Sequence, residues 1–225
     1  MIVVLTGASG AGKSTIGELL RKRFGSNLKP VVSYTTRERK DSDPPGEYVY
    51  VSRDEFDRMK RAGEFIWDVC PHGTDYYGTL FSSLEETNQE PNTIFLMILE
   101  PDSVGTLYIH KDRMGLKIAP FHIISPPVEE LRRRLENRAK LDREKKVAMM
   151  RVHGIPEPDI WEWLKDKAAK DRVVMEGRIH DCLKWDERAS KSKIPYVFVN
   201  YDMAYLGEEA VKIVVDEIVN RISAQ

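Results

Sequence analysis

Apolar residues follow two rhythms along this chain. Short unbroken runs, Ile2 to Leu5, Ile94 to Leu99, Phe121 to Ile124 and Tyr196 to Val199, read as strands buried on both faces. Helical spacing fills much of the chain between them. From Lys13 to Phe24, the residues Ile16, Leu19, Leu20 and Phe24 fall at i, i+3, i+4 and i+8, with Arg21, Lys22 and Arg23 in the last turn and Gly25 as a stop. A second helix is predicted from Val128 to about Arg143 on the stripe of Leu131 and Leu135. A third, from Gly207 to Ile222, carries Val211, Val214, Val215, Ile218, Val219 and Ile222 on one face. Strands alternating with helices predict an α/β fold with a central parallel sheet.

Two regions break this alternation. Ser33 to Leu80 is rich in tyrosine, arginine, glycine and proline, and Ala139 to Lys193 is dense in charge and holds three of the four tryptophans. Both read as excursions from one core, as 225 residues suit one enlarged domain better than two. Within the second, Trp161 and Leu164 are three apart and are expected to form local core.

Composition narrows the function classes. With 41% hydrophobic and 32% charged residues the chain reads as soluble and globular, and no apolar run reaches the length of a membrane span or a secretion signal. The 35 basic and 36 acidic residues nearly cancel, which argues against a nucleic-acid or membrane partner and requires any anion site to be built locally. Cys70 and Cys182 make neither a disulfide framework nor a metal set, and read as ordinary thiols of a reducing cytoplasm; the five histidines form no pair. No sequence feature assigns an oligomeric state.

The chemistry starts where the first strand ends. Gly7, Ala8, Ser9, Gly10, Ala11, Gly12, Lys13 and Ser14 fit G-x-x-x-x-G-K-[ST] between a predicted strand and a predicted helix, the context the motif needs. The glycines let backbone N–H groups curl around a phosphate at a helix N-terminus. Lys13 is expected to reach the β- and γ-phosphates of ATP, Ser14 to hold Mg²⁺, and Thr15 to extend the nucleotide cradle.

Further motifs carry a family resemblance: Ser33-Tyr34-Thr35-Thr36-Arg37, Gly46-Glu47-Tyr48-Val49-Tyr50-Val51-Ser52, Glu64-Phe65-Ile66, Tyr76-Tyr77-Gly78-Thr79, Ser125-Pro126-Pro127, Arg134-Leu135-Glu136-Asn137-Arg138 and Val197-Phe198-Val199-Asn200. In this order the chain resembles the guanylate kinases. The resemblance implies a P-loop NTPase fold of three layers, α/β/α. Its core would be residues 1–32, 81–138 and 194–225, with a nucleoside monophosphate-binding region at 33–80 and an extended lid at 139–193. It also implies that Arg37, Lys40, Tyr48 and Tyr77 grip the acceptor phosphate, that Ser33, Thr79 and Asp102 read the base, and that Asn200 belongs to the ATP site. Arg134 and Arg138, with Arg178 as a third, would stabilise the transferring phosphoryl group, while Arg132 and Arg133 form a solvated face.

The chain departs from the family pattern at three places. Lys40 stands where a second arginine is usual, replacing a bidentate fork with a point charge. Glu100-Pro101-Asp102 stands for an Asp-x-Asp strand end, with Glu100 expected near Mg²⁺ or the acceptor. Trp67 occupies the place of a base-reading glutamate, and since the stretch before Tyr76 is one residue longer, a register shift could bring in Asp68. The expected activity is transfer of the ATP γ-phosphoryl group to GMP or dGMP. A kinase for another nucleotide or a sugar phosphate, and a non-catalytic interaction module of the same fold, stay open as alternatives.

Overall fold

The computed structural model describes residues 1–40, 43–70, 74–200 and 208–223. In chain order the elements are β1 (Ile2–Gly7), α1 (Lys13–Phe24), β2 (Leu28–Pro30), β3 (Ser33–Thr35), β4 (Tyr48–Tyr50), α2 (Arg53–Arg61), β5 (Phe65–Val69), β6 (Tyr77–Leu80), α3 (Phe81–Glu85), β7 (Ile94–Ile98), α4 (Pro101–His110), β8 (Ile118–Ile124), α5 (Val128–Val152), α6 (Glu157–Lys191), β9 (Val197–Asn200) and α7 (Glu208–Ser223). The main sheet has the order β2-β7-β1-β8-β9 and is parallel throughout. All four strand runs read from the sequence lie in it, and β8 begins three residues earlier, at Ile118.

Alternation along β1 feeds two cores. Val3 and Leu5 join Ile16 and Leu20 of α1, Leu131 and Leu135 of α5, and Val214 and Ile218 of α7. Ile2 and Val4 face the other way, with Val104 and Leu107 of α4. Every residue of β1 is buried, as expected of a central strand covered by helices on both faces. Of the predicted α7 stripe, Val214 and Ile218 are buried, whereas Val219 is half exposed.

Residues 33–80 make a separate four-stranded sheet of order β4-β3-β6-β5, mixed in direction. Its outer face is covered by α2, where Phe56 stacks on Phe65 with centroids 4.5 Å apart. Its inner face turns toward the C-terminal end of the main sheet.

Two features of the second excursion differ from the sequence reading. Helix α5 runs to Val152, well past Arg143, because no glycine or proline interrupts it before the turn at Gly154 and Pro156. It pairs with the 35-residue α6, about 50 Å long, in a helical hairpin. In the hairpin's outer half the buried residues are Val147 and Ile160; Trp161 is 64% exposed, so the local core forms on the neighbouring residue. Arg143 and Lys167 both bond Asp171 across and along the hairpin, at 2.5 and 2.7 Å. The C-terminal half of α6 then enters the main core through Ile179 and Cys182 without a break.

Because Ile160 is fully buried in a small local cluster, Ile160→Ala should cost the hairpin about 2–5 kcal/mol. Hydrogen exchange should accelerate across residues 144–176 while amides of β1 and β8 keep their protection. Equal loss of protection in both regions would mean that the hairpin and the main sheet unfold as one unit.

Candidate functional site: a phosphate loop facing an arginine- and tyrosine-lined junction

The loop after β1 is shaped by close approach. Gly7 has φ +135°, and a Cβ there would lie 2.3 Å from the Ile123 carbonyl oxygen. Gly10, at φ +88°, has Leu131 of α5 in the place a Cβ would need, and Gly12, at φ +104°, caps α1. These are conformations that side chains resist. Lys13 folds back over the loop, its Nζ donating to the carbonyls of Gly7 and Ala8 at 2.7 Å each. Burial pulls its pKa down to about 8; Glu100 nearby raises it, and Arg138 and Arg178 lower it further.

Helix α6 lies over this loop on a stripe of Arg178, Cys182, Trp185 and Ala189, spaced for one helical face. The Cys182 thiol donates to the Ser9 carbonyl at 3.9 Å, and burial pushes its pKa up to about 11, so it is neutral at pH 7. Asp186 locks the helix to the end of β8, with Oδ1 2.7 Å from Nε2 of the buried His122 and Oδ2 accepting from the Ser125 N–H. Desolvation lowers the pKa of the half-buried Arg178, and its Nε has no partner. Sequence reading singled out Arg178 alone on this face. Cys182, read from the sequence as an ordinary thiol, and Trp185 were given no place in the site, because only the path of α6 brings them to the loop.

The structure brings most of the predicted residues to one junction. A cavity of about 410 Å³ is lined by Ser14 and Glu100 from the main sheet side, Arg37, Lys40, Tyr48 and Tyr77 from the second sheet, and Arg138 and Arg178 from the hairpin. Arg37 spreads its fork over Asp43, at 2.6 and 2.7 Å, and Tyr50 donates to the same carboxylate at 2.6 Å. These donors hold Asp43 well below the ordinary carboxylate range despite its burial. Arg37 also sits 4.9 Å from the Tyr48 ring centroid. The Lys40 pKa is lowered by burial and by Arg37. Arg134 is tied to the loop itself, donating to the Gly10 carbonyl at 3.1 Å and to Glu130 at 2.8 Å. Arg132 pairs with Glu176 and Arg133 with Glu130, both away from the junction.

Beside the junction lies a mostly apolar cavity of about 210 Å³, lined by Ser33, Tyr48, Trp67, Tyr77, Ser103 and Trp185, among others. Ser33 and Thr79 pair hydroxyl to hydroxyl at 2.8 Å. Two expected base readers are not there. In β5 the alternation turns Trp67 and Val69 into the cavity and Asp68 outward, where it pairs with Lys60 of α2; strand period 2 leaves a single neighbouring residue no choice of face. Asp102, in the first turn of α4, is exposed and bonds Arg188 at 3.0 Å, so its neighbour Ser103 faces the cavity. Asn200 closes β9, and its side chain lies outside the described residues.

A parallel sheet with a glycine-rich loop wrapped around a buried lysine at the end of its central strand defines a P-loop phosphate-binding fold. The guanylate kinase family model matches residues 1–153, and the chain belongs to the guanylate kinase family. It is 38% identical over 140 residues to the guanylate kinase of Bartonella quintana, covering 62% of this chain and 60% of that protein. It is 30% identical over 179 residues to that of Fusobacterium nucleatum subsp. nucleatum, covering 79% and 89%. The chain thus spans less than two thirds of the Bartonella relative. The crystal structure of guanylate kinase from Anaplasma phagocytophilum has the same fold, with a TM-score of 0.56 at 20% identity over 96% of this chain and 85% of that one. The family match ends at the turn between the hairpin helices, so α6 lies beyond it.

A phosphate placed beside Lys13 favours the charged ammonium and raises its pKa from about 8. Binding of a nucleoside triphosphate at pH 8.5 should therefore take up protons, and at pH 6.5, where Lys13 is charged with or without ligand, it should not. Calorimetry in two buffers of different ionisation enthalpy reads the difference. Lys13→Met should remove the uptake at pH 8.5; uptake that persists in this variant would assign the proton to another group.

Proposed function

We propose that this chain is an ATP-dependent nucleoside monophosphate kinase that transfers the γ-phosphoryl group of ATP to GMP or dGMP, with Mg²⁺. The observation that carries the reading is the junction cavity. There the loop that cradles a triphosphate opens, at Ser14, directly onto a second set of phosphate donors headed by Arg37. One anion grip would make a binding protein; two, facing each other across one cavity, suit transfer between phosphates.

In this reading the backbone of residues 7–14 and Lys13 hold the β- and γ-phosphates, with Thr15 and Asn200 completing the ATP site. Arg37, Lys40, Tyr48 and Tyr77 hold the acceptor phosphate. The Arg37 fork already engages a carboxylate, that of Asp43, whose two oxygens stand in for two phosphate oxygens. Arg138, with Arg178 opposite, faces the space between the two grips and would balance charge spread over the transferring group. Arg134 acts on the loop through the Gly10 carbonyl. The acceptor phosphate is anionic at neutral pH and needs no base to deprotonate it.

The Ser14 hydroxyl and the Glu100 carboxylate, which line the same cavity, fit Mg²⁺. Among the described residues no three His, Cys, Asp or Glu cluster as a metal cage; Mg²⁺ in such sites takes one or two protein oxygens, with phosphates and waters completing the shell. When bound it would neutralise charge on the β- and γ-oxygens. Desolvation raises the Glu100 pKa, Asp102 adds to the rise and Lys13 opposes it. Residues 33–80 would then form the acceptor region and 139–193 the lid that keeps water from the transferring group. No helix of the described residues is long and apolar enough to cross a membrane, and use of ATP and GMP suits a cytoplasmic location.

An ADP-release assay with MgATP against a panel of nucleoside monophosphates tests this. GMP or dGMP should be turned over, Lys13→Ala should lower kcat by about 10²–10³, and Arg37→Ala should act mainly by raising KM for the acceptor. Undetectable ATP binding at millimolar concentration would overturn the reading and favour a non-catalytic module.

A further inference from the structure

The two arginines that face the space between the phosphate sites sit on different helices and repel each other. Arg138 on α5 and Arg178 on α6 both line the junction cavity, and desolvation and Arg138 together lower the Arg178 pKa. Neither has a carboxylate within ion-pair distance among the described residues. With no such partner to hold its guanidinium, the place of Arg178 depends on what fixes α6.

Beyond Arg178, three side chains of α6 make polar contacts with the body of the protein among the described residues, and they are unequal. The Cys182 thiol reaches the Ser9 carbonyl only at 3.9 Å. Arg188 pairs with Asp102 at the surface, both side chains more than half exposed, where an ion pair contributes little. Asp186 is different. It is half-buried, with Oδ1 2.7 Å from Nε2 of the fully buried His122 and Oδ2 accepting from the Ser125 N–H at 3.0 Å. Burial would raise its pKa, but the bonds from His122 and Ser125 hold it below the ordinary range, so the carboxylate is ionised and Nε2 must be the donor.

Both partners of Asp186 are anchored where position matters. His122 precedes Ile123, whose carbonyl closes on Gly7 of the phosphate loop, and Ser125 stands three residues before α5, the helix of Arg138. Arg178 lies eight residues before Asp186 on the same helix, about 12 Å along its axis. One carboxylate thus sets the place of Arg178 relative to both the loop and Arg138.

We propose that Asp186 is a positioning residue for phosphoryl transfer: held by His122 and Ser125, it fixes the axial position of α6 and so aims Arg178 at the transferring group. This role rests on the kinase reading above. Because α6 lies beyond the family match, that match assigns Asp186 nothing. A misplacement of 1 Å can cost about 10² in rate, so loss of the clamp is read in kcat.

Asp186→Asn keeps the shape but offers one acceptor oxygen to two donors, and Asp186→Ala offers none. With Arg178 present, each should lower kcat by about tenfold or more, with KM for ATP and GMP within about twofold. In an Arg178→Ala background, where no guanidinium is left to aim, the same substitutions should change kcat by less than about twofold. A clamp that only held the fold together would lower the melting temperature and take the same factor from kcat in both backgrounds. A loss at least about fivefold greater with Arg178 present upholds the proposal; a smaller difference, or no loss, overturns it. Should Asp186→Ala not fold, Asp186→Asn carries the cycle alone. If the wild-type protein phosphorylates no nucleoside monophosphate, the kinase reading fails by itself, and the same cycle on the Kd for inorganic tripolyphosphate, read by calorimetry, decides the role of Asp186 by the same fivefold rule. Absence of tripolyphosphate binding overturns that role as well.

Discussion

A buried ammonium group at the end of the central strand sets the terms for everything around it. Lys13 is partly buried and is held by two backbone carbonyls that only a tightly curled loop can present. That curl is possible because Gly7 lies against the Ile123 carbonyl where no side chain fits, so register between β1 and β8 and the chemistry of the loop are one constraint. Desolvation lowers the pKa of Lys13, and a bound phosphate would raise it again.

Burial of that lysine requires a cover, and α6 provides it. The clamp from Asp186 to His122 and to the Ser125 N–H fixes the helix across the C-terminal ends of the strands, which puts Arg178, Cys182 and Trp185 over the loop. The same helix extends outward to form half of the hairpin. One rigid element therefore links the phosphate loop, the phosphate junction and the outer excursion, and a displacement of α6 would be felt in all three.

The second sheet meets this assembly with its inner face, and it is joined to α1 by the pair Arg21–Glu47 at 2.8 Å. Arg37 in this sheet is held by Asp43, which also accepts from the Tyr50 hydroxyl. An acceptor phosphate would exchange one anion for another at a fork already formed, which lowers the ordering cost of binding at the expense of displacing the carboxylate.

Local patterns carried much of this protein in the sequence. Strand runs, the α1 and α7 stripes, the phosphate loop and the order of the family motifs depend on residues close along the chain, and period and spacing report such features directly. The convergence of Ser14, Arg37, Tyr48 and Arg138 followed from the family motifs. Which of two adjacent residues faces a cavity did not: a bulge between Phe65 and Trp67 and the pairing with β6 set Trp67 inward and Asp68 outward, and a one-residue change of register would have exchanged them. Ser103 in place of Asp102, Ile160 in place of Trp161, and Trp185 in the cavity were likewise decided by how helices pack, because helix orientation depends on contacts between residues far apart in the chain.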